Sequence, residues 1–85
     1  MRLEVRYERS FLLDLKDLET SAYERVRHFV FEEFLQLHQL QDLPELEQMG
    51  SSSIFYRFSL DHYLVAIEVT GQIVKFIRIL PRPDI

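Results

Sequence analysis

Three β-rich runs stand almost end to end in the last third of this sequence: Ile54 to Leu60, Tyr63 to Val69 and Ile73 to Leu80. They are dense in Ile, Val, Phe and Tyr, the residues that fit a pleated, half-buried surface. The breaks between them are Asp61-His62 and Thr70-Gly71-Gln72. A parallel crossover needs a dozen or more residues, so gaps this short leave hairpin turns, with Gly71 supplying the positive φ such a turn needs. The chain is thereby directed to an antiparallel meander, and the rest of it has to cover one face.

Pairing across the first turn sets the faces. With Asp61-His62 as a two-residue turn, Leu60 faces Tyr63, Phe58 faces Val65 and Arg57 faces Ala66. Either register drawn for the second hairpin keeps this sidedness. One face then carries Ile54, Tyr56, Phe58, Leu60, Val65, Ile67, Val69, Val74 and Phe76, nearly all apolar. The other carries Arg57, Ser59, Leu64, Ala66, Glu68, Lys75, Ile77 and Ile79, with nothing left in the chain to cover it. A solvated face is normal for an antiparallel sheet. Aliphatic residues among its charges suggest a docked partner, although scattered exposed apolar residues are ordinary.

The first half supplies the cover. Leu3-Glu4-Val5-Arg6-Tyr7 alternates with period two and predicts a half-buried strand. Ser10 is placed to cap a helix with apolar positions Phe11, Leu12, Leu15 and Leu18. Ser21 with Glu24 forms a capping-box pattern that opens a second helix. Its stripe is Tyr23, Val26, Phe29, Val30, Phe34 and Leu37; its opposite face is Arg25, Glu32, Gln36 and Gln39. The helix should fade by Leu43, since the residue before Pro44 avoids helical dihedrals. Pro44 to Ser53 reads as the one loop, and Pro81-Arg82-Pro83-Asp84-Ile85 as a tail too proline-rich to continue a central strand. The sum is one α+β domain over residues 1–85: two N-terminal helices on one face of a small antiparallel sheet, in the order β-α-α-β-β-β, with the first strand a candidate to join it.

Composition closes off several function classes. At 47% hydrophobic and 28% charged, the 85 residues make an ordinary globular mix rather than a disordered one. With no cysteine, disulfide frameworks, thiolate zinc sites and cysteine nucleophiles are excluded. Apolar runs such as Phe29-Val30-Phe31 fall far short of a membrane span, and no signal-peptide pattern opens the chain, so a cytoplasmic protein is expected. The net charge of −4 argues against generic nucleic-acid binding. That charge is uneven. Residues 1–49 hold six Lys/Arg and eleven Asp/Glu, giving −5; residues 50–85 hold four (Arg57, Lys75, Arg78, Arg82) and three, giving +1. Any anionic partner should meet the second half.

Side chains that carry chemistry are few. His28 and His38 lie ten residues apart on one helix, on different turns, and give no metal-ligand spacing. His62 belongs to the predicted turn. Ser51, Ser52 and Ser53 have no base beside them and read as loop. Gly50 and Gly71 are the only glycines, so there is no phosphate-cradling loop. Arg57 stands out, mid-strand among aromatics in Phe55-Tyr56-Arg57-Phe58. It either snorkels or pairs across strands with Glu68, or it presents a guanidinium to an anion such as phosphate. Lys75 shares its face, and Arg82 follows the last strand.

The whole chain resembles the RelE/ParE toxin superfamily. Tyr7-Glu8-Arg9-Ser10-Phe11-Leu12-Leu13-Asp14-Leu15-Lys16 is similar to that family's first strand and helix. Ile54-Phe55-Tyr56-Arg57-Phe58-Ser59-Leu60-Asp61-His62-Tyr63-Leu64 resembles its basic strand-turn-strand, and Val74 to Arg82 its last strand and terminal arginine. The resemblance implies the toxin of a type II toxin–antitoxin system, in the nuclease branch a ribosome-dependent endoribonuclease that needs no metal or other cofactor. There the 2′-hydroxyl of the RNA attacks while cations stabilise the phosphate. It implies Arg57 and Arg82 as catalytic residues, Lys75 and Arg78 as substrate-binding residues, and matching aromatics at Tyr56 and Tyr63, with Tyr56 directed to the apolar face. Expected partners are a cognate antitoxin on the mixed face or the helices and ribosome-bound messenger RNA; the mixed face also suits a homodimer. Leu64 and Ser59 depart from positions that are usually basic, the chain ends at Ile85 about where many nucleases place a tyrosine, and the net charge is acidic. Those departures leave a ParE-like protein-binding toxin, or a degenerate toxin acting as a binding module, as the alternative.

Overall fold

A computed structural model describes residues 3–37 and 40–82. In chain order the elements are β1 (Glu4–Tyr7), α1 (Arg9–Lys16), α2 (Thr20–His28), β2 (Glu47–Gln48), β3 (Phe55–Leu60), β4 (Tyr63–Thr70) and β5 (Ile73–Pro81). They form the expected α+β arrangement. The sheet is larger than the meander alone, with order β1-β5-β4-β3-β2. β1 joins it parallel to β5, Val5 opposite Val74 and Tyr7 opposite Phe76, so the sheet is mixed. No helix among the described residues is long and apolar enough to cross a membrane.

The first hairpin has the register expected, Leu60 opposite Tyr63, Phe58 opposite Val65 and Arg57 opposite Ala66. Asp61 (φ 55) and Gly71 (φ 59) both take the left-handed backbone at the two turns. The helices cover the apolar face as predicted. Phe11, Val26, Val30 and Phe34 are buried against Phe58, Val65, Ile67, Val74 and Phe76. Burial of each large side chain contributes roughly 1.5–3 kcal/mol. Phe76 sits at the centre, its ring centroid 5.0–6.5 Å from those of Tyr7, Phe11, Phe34 and Phe58.

The helices begin differently from the sequence expectation. Glu8, not Ser10, is the N-cap of α1, and Glu19, not Ser21, that of α2, neither with a side-chain cap. Ser10 Oγ donates instead to the Ile77 carbonyl at 2.6 Å, and Ser21 Oγ to Glu19. Tertiary need won at Ser10, because an unpaired carbonyl on the sheet edge costs more than a missing cap. After α2 the helix continues as a π turn over Phe29–Glu33 and a 3-10 turn over Phe34–Gln36, and ends at Leu37, which is extended. The π turn answers a five-residue spacing. Phe29 and Phe34 are both buried, yet in a regular α-helix they would lie about 140° apart. A further 3-10 turn, Leu40–Asp42, precedes Pro44. Tyr23 is more exposed than its stripe neighbours, whereas Arg25, Glu32 and Gln36 face solvent as expected. His38, Gln39 and the tail after Arg82 lie outside the described residues.

Two corrections concern β5. A bulge puts Ile67 opposite Phe76 but Ala66 opposite Arg78, making Ile77 the extra residue. A bulge reverses sidedness. Ile79, expected on the mixed face, is therefore buried in the core, while Arg78 and Leu80 take the mixed face. β5 also runs through Pro81, which pairs with Tyr63. Proline is tolerated there because β1 ends at Tyr7 and β5 beyond Phe76 is an edge strand.

Candidate functional site

The bulge assembles a row that alternation alone does not show. On the uncovered face Arg57, Ala66 and Arg78 stand side by side on β3, β4 and β5. Strands about 4.8 Å apart put the two arginine backbones on the order of 10 Å from each other. Ala66 between them and Ser59 beside it are both 7% exposed, which makes a floor of small side chains flanked by long cationic ones. Lys75 stands opposite Glu68 in the next row, and Arg82 follows β5, its N–H donating to the His62 carbonyl at 2.8 Å.

Each of the four cations is already paired, and each with a carboxylate from the acidic first half. Arg57 Nη2 meets Glu47 Oε2 at 3.0 Å, so the cross-strand partner is Glu47 on β2 rather than Glu68. Lys75 Nζ lies 3.2 Å from Glu8 and 3.5 Å from Glu68. Arg82 Nη2 meets Glu45 Oε2 at 3.2 Å. Arg78 donates to Asp14 from Nε at 2.7 Å and from Nη2 at 3.4 Å. Asp14 also accepts the Ile79 N–H at 2.9 Å. Ser10 and Asp14, one helical turn apart on α1, thus satisfy the outward groups of β5 where β1 no longer does.

Electrostatics divide these pairs. Burial pushes the Asp14 carboxyl up, but the Arg78 hydrogen bond, the Ile79 amide and the Arg78 charge outweigh it and leave it below its ordinary value. The Asp14 hydrogen bond, then its charge, raise Arg78 in turn. Lys75 is raised by its Glu8 hydrogen bond first and by the Glu68 and Glu8 charges next. The Arg57–Glu47 and Arg82–Glu45 pairs join side chains that are about half exposed throughout. Such pairs contribute roughly 0–1 kcal/mol and exchange readily with other ions.

On this face the strands present cations and carboxylates but, among the described residues, neither histidine nor tyrosine. Tyr56 and Tyr63 align with the core-face residues Ile67 and Leu60, and His62 is exposed in the turn. The arrangement suits charge stabilisation more than proton transfer. No metal-holding group of His, Asp and Glu is present among the described residues. On the helix side, a separate cleft of about 220 Å³ is lined by Ala22, Val26, Leu60 and Tyr63 beside the Arg25–Asp61 ion pair. The sequence expectation missed the place of Arg78 and the part of Glu45 and Glu47. No periodicity marks the last two, since β2 has only two residues and Glu45 lies outside it with a left-handed backbone.

No family model matches this sequence, and no curated protein sequence matches it. Solved structures do. A chain of the RelB–RelE antitoxin–toxin complex from Methanococcus jannaschii is 24% identical, with a TM-score of 0.74 over 89% of this chain and 88% of that one. The archaeal RelE–RelB complex from Pyrococcus horikoshii matches at 18% identity and a TM-score of 0.75, covering 100% of both chains. A chromosomal ParDE toxin–antitoxin system from P. aeruginosa matches at 13% identity and 0.63 over 96% and 98%. At these identities the shared property is the fold, and the RelE/ParE-like fold expected from the sequence is the one observed.

Proposed function

We propose that this protein is the toxin of a type II toxin–antitoxin pair and acts as a RelE-like, ribosome-dependent endoribonuclease that inhibits translation. The observation that carries this reading is the Arg57–Ala66–Arg78 row, with Arg82 beyond it, on the uncovered face of a fold matched by chains of toxin–antitoxin complexes. Arg57 and Arg82 each hold a phosphate, the scissile one and its neighbour, while Lys75 and Arg78 bind the substrate backbone beside them. Guanidinium groups suit this task because they stay charged and present paired donors to phosphate oxygens. The 2′-hydroxyl of the RNA attacks the phosphorus as its proton passes to water, the 5′-oxygen leaves and takes a proton from water, and the charge that develops on the phosphoryl oxygens is stabilised by the arginines. No cofactor is needed. The cognate antitoxin is the expected protein partner, on the open face or the helix surface, and the cytoplasm the expected location.

Induced expression of the wild type, Arg57→Ala and Arg82→Ala in bacteria tests this, with growth and messenger-RNA ends followed together. The expected result is growth arrest with new cleavage ends, both lost in either variant. Cleavage that persists in both variants rejects the assignment of the site. A second reading, a ParE-like or degenerate toxin that binds a protein target, is favoured by the pairing of all four cations with carboxylates and by Leu64 at a position the resemblance expects to be basic. Arrest without cleavage selects it.

A further inference from the structure

The two carboxylates on Arg57 and Arg82 come from one short segment with an unusual backbone. Glu45 has φ 51, a left-handed conformation that glycine takes freely and a side chain with a Cβ resists. Glu47 belongs to β2, a strand of two residues. Beyond that ladder, the segment is tied to β3 by the Ser59 N–H donating to the Pro44 carbonyl at 3.0 Å and the Met49 N–H to the Phe55 carbonyl at 2.8 Å. Gly50, at φ 58, and three serines follow it. Glutamate thus occupies a position where glycine would be less strained, and its carboxylate lies on the guanidinium expected to hold phosphate. Strain kept at such a place points to a role for the side chain.

We propose that Pro44–Gln48 is an intramolecular gate on the phosphate site, in which Glu45 and Glu47 stand in for two phosphates and single-stranded RNA engages Arg82 and Arg57 by displacing them. The inference rests on the reading of those arginines as phosphate-binding groups. Carboxylate and phosphate compete for the same Nη2 donors. Because each pair is exposed and weak, a polymer that offers two phosphates at once displaces both acids, while a mononucleotide displaces one at most. The gate thereby discriminates against the free nucleotides and small anions that an open arginine site would collect.

The test is fluorescence anisotropy with a labelled 2′-O-methyl single-stranded RNA, which binds but lacks the attacking hydroxyl. Wild type is compared with Glu45→Gly/Glu47→Gln, and both backgrounds with Arg57→Ala/Arg82→Ala added. The double acid variant should bind roughly tenfold tighter, the gain expected from removing two exposed pairs. That gain should vanish when the arginines are removed, and cytidine monophosphate should show a smaller one. Thermal unfolding of Glu45→Gly should be unchanged or higher, whereas a merely structural Glu45 predicts a loss. Glu47→Gln alone, which keeps the backbone and side-chain size, should gain about threefold. If the acid variants bind like wild type while arginine removal weakens binding, the gate is overturned and the phosphate site stands. If arginine removal changes nothing in either background, the phosphate site fails and the gate with it.

Discussion

The two faces of this sheet are built on opposite principles. The helix-covered face is a continuous packing of Phe11, Phe34, Phe58, Phe76 and their aliphatic neighbours with no charge in it. The open face is organised in pairs, with a carboxylate against each of the four cations of the second half. Hydrophobic burial is non-directional and adds up with area, so the first face is stabilised by many residues at once. Exposed ion pairs contribute little each, so the second face can exchange partners with little loss of stability. One face holds the fold, and the other adds little to it.

The largest test of that contrast is Phe76→Ala, which removes a fully buried ring touching four others. It should cost about 3–5 kcal/mol in urea unfolding, enough to bring a domain of this size close to unfolding; a loss under about 1 kcal/mol would break the account of the core. On the open face, Arg57→Ala should change stability by no more than about 0.5 kcal/mol and, on the proposed function, lower RNA cleavage by roughly 10²–10³-fold, the effect of removing one oxyanion-stabilising group. A parallel fall in stability would place Arg57 among the structural residues instead.

Asp14 lies between the two regimes, since it pairs Arg78 and also satisfies the Ile79 amide. Asp14→Ala should cost about 1 kcal/mol through that lost backbone partner. Its carboxyl is held below the ordinary value of 3.8. The stability it contributes is therefore complete above that value and is lost as pH falls through the lower folded value. Melting curves recorded downward from about pH 5 should drop for the wild type and drop less for Asp14→Asn; equal slopes would remove Asp14 from the account. The smallest effect belongs to Arg6→Ala. Its 2.6 Å contact with Glu4 is more than half exposed on both sides, so unfolding should move by less than about 0.5 kcal/mol.

Much of the fold was legible because its signals are local. The turn at Asp61-His62 fixes a hairpin by length alone, and the alternation in β3 and β4 then assigns Phe58, Val65 and Ile67 to the core. Arg57 was legible as a charged residue on the uncovered face for the same reason. The cap at Ser10 was misread because a serine that starts a helix and one that satisfies the Ile77 carbonyl look alike in sequence. The stretch Pro44 to Ser53 read as loop because β2, at two residues, is too short for any periodicity.

The sequence by itself determined the meander, its first register, the helix stripe and the charge asymmetry between the halves. Each follows from residues close together in the chain. Only the tertiary structure decided that Ile79 is core and Arg78 is surface, because the bulge at Ile77 arises where β5 leaves β1 and meets α1. It likewise decided which carboxylate meets which cation. Those partners lie 10 to 67 residues apart, a pairing that depends on where the folded chain carries each charge.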